Sequence, residues 1–330
     1  MGTSKITAMV IVLLCTMMLA ACGSGVNSND ASQQPQNSPA VQQADNTPEP
    51  SAETEHTLRT VTDDLGHVLQ IPARPQRVLA PYLEDPLTVL GVKPVAQWSN
   101  GDVVQQYLQT GLAGIPKVDF SSGSLDPEQA ASHTPDLIIL IFDSWAENGM
   151  YEAYSKIAPT YVFKDGMSDW RKTLRTLGDL LGQTDEAEKS IQAYDAKVAE
   201  AKQQIQQSIG NEEVALLWPS GKNLFLLSAL DYSGKLLYEE LGIKEPSLAH
   251  GQSFQNLSLE KLPELGNAHI FLIMQYNDTE AKELQSKSVW KGLPAVKEGR
   301  VTEISWNHWM NNGLIANQLN LEDTLKTLVK

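Results

Sequence analysis

Short β-branched and aliphatic runs alternate with stretches of helical period along most of the chain. Residues 59–72, "RTVTDDLGHVLQIP", alternate apolar and polar positions and predict an opening hairpin around Leu65-Gly66. Buried strands are predicted over 77–80, 94–96 and 137–141, with helices over 83–90, 103–110 and 127–133 between them. A second series has strands over 214–217, 270–273 and 301–304 and helices over 233–241, 258–265 and 312–328. Alternation of this kind predicts α/β lobes with largely parallel sheets.

Between the two series the period changes scale. Trp170, Leu174, Leu177 and Leu181 fall on one helical face, and Gly182 is placed to end that helix. Thr184 is expected to cap the next helix, with Asp185 and Glu186 in its first turn favouring the positive end of the dipole. That helix runs through "DEAEKSIQAYDAKVAEAKQQIQQSI" without Gly or Pro. At about 25 residues it would span roughly 37 Å. Ile191, Tyr194, Val198, Ala201 and Ile205 give it an apolar stripe. The fold expected is α/β: two Rossmann-like lobes, 57–182 and 211–330, bridged by a long helix over 183–210, with a ligand cleft between the lobes.

The N-terminal end follows different rules. Residues 1–5 are a short basic start, 6–18 are almost wholly apolar, and Leu19-Ala20-Ala21 leads into Cys22. The placement of that cysteine resembles the lipobox of bacterial lipoproteins. It implies a signal peptide over 1–21, lipid on Cys22 and an extracytoplasmic protein anchored to the cell membrane. Cys15 would leave with the leader, so no disulfide is expected. Residues 22–56 are rich in Ser, Asn, Gln, Pro and acid and lack aromatics. Such a segment cannot bury enough apolar surface to offset its ordering entropy and reads as a disordered tether. With ~35 residues it would hold the folded part on the order of 30 Å from the bilayer. The formal net charge of −15 argues against nucleic acid as a partner.

In open α/β sheets, ligands sit beyond the carboxyl ends of strands. The predicted ends are followed by Tyr82; by Trp98; by Phe142 and Trp145; by Trp218 and Lys222; by Tyr276; and by Trp306, His308 and Trp309. Every one of the six carries an aromatic residue, which predicts a cleft with a broad, rigid lining. Arg171 and Lys222 are the candidate polar donors. A single loop Trp can equally pack against its own domain. Tyr82 and Trp218 are most open to that alternative, because the strand before each could extend.

Catalytic chemistry finds little support. "PSGKN" lacks the rest of a phosphate loop, and neither a G-x-S-x-G elbow nor an H-E-x-x-H pair occurs. The six histidines stand at no metal spacing. No catalytic residue, resident metal or cofactor is therefore expected, and His269, at the start of an apolar strand, is read as structural.

The whole of 57–330 resembles the substrate-binding lipoproteins of iron–siderophore ABC importers. "IPARPQRVLA", "LTVLGVKPVA" and "PEQAASHTPDLIIL" match the first lobe, and "WRKTLRTLGDLLGQTDEAEKSIQAYDAKV" the helices between lobes. "SGKLLYEELGI", "LSLEKLPEL", "VWKGLPAVKEGRV" and the closing "W…GLIANQL" match the second. The resemblance implies two α/β lobes joined by one long helix and a ferric siderophore as cargo. It also implies delivery, by a monomer, to a membrane permease energised by an ATPase. Glu128 and Glu260 stand where the family docks on its permease, and Trp290 falls in a packing motif. Many relatives have an arginine just after the first strand of the second lobe, where this chain has Trp218 and Lys222. Poor in positive charge, such a cleft suits a near-neutral ferric hydroxamate better than a polyanionic tris-catecholate. Citrate-like carboxylates come second, with haem or cobalamin behind them. A surface enzyme acting on the chelator would need a redox cofactor or a nucleophile–base pair that the chain does not display.

Overall fold

Exposed and buried residues alternate along 58–72, and the chain forms an antiparallel hairpin there, β1 (Leu58–Thr62) with β2 (Val68–Pro72). The structure is a computed structural model that describes residues 57–249, 251–275 and 278–329. The expected leader, Cys22, the tether and Tyr276 lie outside the described residues. Buried Asp63 holds the hairpin turn, accepting from the Leu65 and His67 amides at 3.0 and 2.8 Å. Its other oxygen takes the Val162 amide at 3.3 Å, which fastens the hairpin to the first lobe.

That lobe is built on two parallel sheets. β3 (Val78–Leu79), β6 (Leu137–Leu140) and β7 (Thr160–Val162) form one in the order β3-β6-β7. β4 (Gln97–Ser99) and β5 (Lys117–Asp119) form the other. Strand β4 begins three residues later than the sequence predicts, so Trp98 lies within a strand and not beyond its end. The physical reason is tertiary: the Trp98 amide donates to the Glu84 carboxylate, and the Gln97 side chain donates to the Leu112 and Ile115 carbonyls.

The second lobe carries one five-stranded sheet. Its members are β8 (Val214–Ser220), β9 (Asn223–Leu227), β10 (Gln255–Asn256), β11 (His269–Met274) and β12 (Val301–Ser305), in the order β10-β9-β8-β11-β12. β8, β11 and β12 run parallel, as the alternation predicts. The antiparallel β8–β9 hairpin is unforeseen, and β8 runs through Trp218 to Ser220.

Between the lobes the helices obey their apolar stripes. Helix Trp170–Leu180 buries Trp170, Leu174 and Leu177, and helix Thr184–Ile209 buries all five residues of its predicted stripe. Thr184 is the first helical residue and not the cap; Gln183 precedes it and supplies no side-chain cap bond. One apolar cluster joins these two helices to one face of each lobe's sheets and to the C-terminal helix Leu314–Leu328. A second cluster, which includes Trp290, covers the other face of the five-stranded sheet. A third covers the outer side of the first lobe. The C-terminal helix packs against both the bridging helix and α1 (Glu84–Val89), so the end of the chain returns to the first lobe.

Candidate functional site

Both lobes contribute to a cavity of about 260 Å³. Phe142, Asp165, Met167 and Ser168 line it from the first lobe, and Leu230, Asp231, Tyr232, Lys235, Ser253, Phe254 and Asn312 from the second. It opens beside a narrower pocket lined by Tyr82, Asp85, Gln105, Tyr107, Trp170 and residues 311–314. Met167 and Asn312 belong to both.

Two aromatic groups flank the cavity. On the first lobe, Trp145 meets Phe142 edge-on at 5.5 Å and lies against Phe120 at 4.5 Å. On the second, Trp218 packs on Phe225 at 5.4 Å and on Phe254 at 5.9 Å, while Tyr232 meets Phe254 at 5.8 Å. Trp218 Nε1 is buried with no hydrogen-bond partner. Phe254, which the sequence reading missed, holds φ at +46°, a region that bulky side chains enter only under restraint. Asp231 supplies part of that restraint. It is buried, accepts the Phe254 amide at 3.1 Å and the Ser228 amide at 2.8 Å, and takes the Ser253 hydroxyl. Leu230, on the same loop, is 56 % exposed at the cavity rim. The only available sequence cue was an aromatic residue in the polar run "GQSFQN".

The charges around the cavity are already engaged. Lys235, the one cation among the described residues lining it, donates to the Ser168 carbonyl at 2.7 Å. Asp165 accepts the amides of Met167 and Ser168 at 3.1 and 3.2 Å.

The remaining candidates lie elsewhere. Tyr82 lines the adjoining pocket at φ +68° and meets Trp98 edge-on at 4.9 Å. Trp306 lines a separate cavity at the ends of β11 and β12, with Met274, Gln275 and Asp278. Lys222 sits at the β8–β9 turn beside a third, with Glu280, Glu283 and Lys287. Trp309 is fully buried against Phe271 at 5.4 Å, which removes it from any ligand surface. Its Nε1 and the His308 ring both bond Asp323, at 2.9 and 2.8 Å. Burial works against the Asp323 charge, but those hydrogen bonds outweigh it and hold the carboxyl below its usual range. The unusual Trp and His content of "WNHW" thus fastens its own short helix to the C-terminal one. Arg171 is also withdrawn from the cleft, because its guanidinium is bound to Asp195 and Glu240.

Two buried carboxylates open α1. Asp85 accepts the Ile315 and Ala316 amides at 3.1 and 2.9 Å and the Tyr107 hydroxyl at 3.1 Å, capping the C-terminal helix from the first lobe. Gly313 is required there, since a Cβ would come within 2.6 Å of the Asp85 carboxylate. Glu84 accepts from the Trp98 amide, and its Oε2 is buried without a hydrogen-bond partner. Burial raises the Glu84 pKa to about 7 and that of Asp85 to about 6, although backbone hydrogen bonds lower both. Sequence reasoning did not single these two out, because their partners, the Trp98 amide and the 315–316 amides, stand elsewhere in the chain.

Glu128 and Glu260 are both exposed. Glu128 opens helix Pro127–Ser132, capped by Asp126, and Glu260 opens the 3-10 turn Leu259–Leu265. Among the described residues, no three His, Cys, Asp or Glu gather to hold a metal ion.

A family model for periplasmic binding proteins matches residues 84–305. The chain belongs to the periplasmic binding protein family. Within it, the iron(3+)-hydroxamate-binding protein FhuD of Bacillus subtilis is 27% identical over 90% of this chain and 89% of the relative. The Fe(3+)-citrate-binding protein YfmC of the same organism is 22% identical over 97% of this chain and 96% of its own. A solved Bacillus subtilis structure of the FhuD fold family is a periplasmic binding protein component of a Fep/Fec-like ferrichrome ABC transporter. It superposes with a TM-score of 0.70 at 25% identity, covering 82% of this chain and 100% of that one. Two α/β lobes bridged by a long helix are the architecture shared with that fold family. Its members are transport components, and the relatives named here bind ferric iron in chelated form.

Proposed function

We propose that the protein captures a ferric siderophore between its lobes, a hydroxamate type in preference, and delivers it to an ABC permease energised by an ATPase. The division is 57–182 and 211–330 for the lobes and 183–210 for the bridge, with Cys22 as a lipid anchor and 22–56 as the tether. The observation that carries the cargo reading is the cavity's chemistry: aromatic and other apolar side chains from both lobes beside Asp165 and Asp231, with the one lysine among its described lining residues already held by a carbonyl. A polyanionic complex brought out of water would need several free cations beside it. A ferric hydroxamate is close to neutral, its iron enclosed by the chelator's own oxygens, and asks mainly for flat apolar surface and a few donors. Trp145, Phe142 and Trp218 from the sequence reading, joined by Phe254 and Tyr232, are the contacts proposed. Glu128 and Glu260 are proposed to meet the permease.

Tryptophan fluorescence titrated with ferrioxamine B, ferric citrate and ferric enterobactin tests this reading. Saturable quenching strongest with ferrioxamine B is expected. Tightest binding of enterobactin would refute the charge argument, and no saturation with any of the three would refute siderophore capture.

A further inference from the structure

Arg171 was expected in the cleft and stands instead where three elements meet. It lies in the first turn of helix Trp170–Leu180, at the end of the first lobe. Its Nε and Nη2 donate to Asp195 of the bridging helix at 3.1 and 2.6 Å. Its Nη1 and Nη2 donate to Glu240 of the second lobe at 2.8 and 3.2 Å. The guanidinium also lies over the Trp170 ring at 4.3 Å and near the Tyr194 ring at 5.3 Å. Tyr194, wholly buried, donates its hydroxyl to the same Glu240 at 3.1 Å. A planar fork that satisfies two carboxylates and stacks on an aromatic ring fixes orientation as well as distance, which an ammonium cannot do.

The second lobe's side of this junction depends on an irregular helix. Residues Lys235–Glu240 form a π-helical stretch, with the Leu241 amide bonded to the Leu236 carbonyl at 2.9 Å. In an α-helix, side chains five residues apart point about 140° away from each other. The wider π turn, closed by i→i+5 bonds, brings them nearly to one face. Lys235 and Glu240, its first and last residues, thus both reach the first lobe, at the Ser168 carbonyl and at Arg171. Ser168 and Arg171 are themselves three residues apart, so two inter-lobe bonds tie one short segment to one π turn.

We propose that Arg171, with Glu240 and Asp195, is the clamp that sets the angle between the lobes, a positioning device through which the cleft holds its ligand. Only the ligand half of this statement rests on the function proposed above. A clamped pair of walls has less motion to lose on binding, so loosening it weakens retention without altering any ligand contact.

The test uses the full chain with Cys15 and Cys22 replaced by serine and spin labels on exposed Ser122→Cys and Lys261→Cys. In ligand-free protein, Arg171→Gln and Glu240→Gln should each broaden the distance distribution between the lobes. Arg171→Lys should fall between them and the parent, since it keeps charge but loses the fork. With ferrioxamine B as probe, the off-rate should rise about tenfold in Arg171→Gln with the on-rate little changed. The double variant should be no worse than the worse single one, because the two residues form one unit. Distance distributions unchanged in folded Arg171→Gln and Glu240→Gln would overturn the clamp, even if the melting temperature fell. Failure of the parent to bind ferrioxamine B would count against the cargo reading alone, and the distances would still decide the clamp.

Discussion

Replacing Glu84 with glutamine isolates one titration inside the fold. The carboxyl is 1 % exposed, and its pKa rises from 4.5 to about 7 because burial disfavours the charged form more than backbone hydrogen bonds favour it. Below pH 4.5 the folded and unfolded chains both hold the proton, and the group costs nothing. As pH climbs, the unfolded chain ionises first, and each unit removes up to about 1.4 kcal/mol of stability until the folded carboxyl also ionises near 7. The full loss comes to ~3 kcal/mol between pH 4.5 and about 7. Glutamine keeps an acceptor for the Trp98 amide and cannot ionise, so its own packing cost is a constant offset. Urea unfolding of both proteins at pH 5, 6, 7 and 8 should therefore show Glu84→Gln gaining ~2.5 kcal/mol on the parent from pH 5 to 8, the rest of the loss having accrued below pH 5. Asp85 shifts in the same direction, to about 6, but is present in both chains and cancels. Curves that stay parallel would falsify the assignment and mean that Glu84 titrates near its ordinary value.

Three further outcomes are expected. Gly234→Ala should unfold the chain or cost at least ~3 kcal/mol, because its Cβ would meet the Ser228 carbonyl oxygen at 1.9 Å; thermal melting checks this. Trp309→Ala should lower stability by ~3–5 kcal/mol, whereas Trp306→Ala, partly exposed, should lower it by less than half as much; equal losses in urea would contradict the separation of the two rings. Glu128→Ala and Glu260→Ala, both exposed, should leave ferrioxamine B binding intact while reducing iron-dependent growth of the host; a loss of binding in solution would argue that either residue belongs to the cleft.

How much of this was legible in the sequence depends on where each residue's partners lie. The bridging helix was plain, because 26 residues without Gly or Pro carry their own stripe and the stripe is buried as read. Strand β4 was misplaced by three residues because a carboxylate 14 positions earlier in the chain selects which amide pairs. Arg171 looked free because its partners stand 24 and 69 residues away. Trp306 and Trp309 share one short helix, yet one faces a cavity and the other the core, a difference that residue type does not encode. Phe254 sits in a polar run with no period, and only its restraint by Asp231 gives it away.

The bond from Asp85 to the Ala316 amide spans 231 positions and bears on how the chain folds as it is made. An N-terminal half made first would have to wait, its two acids still wet and α1 uncovered, until residues 315 and 316 had followed. Such a protein matures late and all at once. Loss of helix Leu314–Leu328 would therefore damage the first lobe as much as the part of the molecule it adjoins.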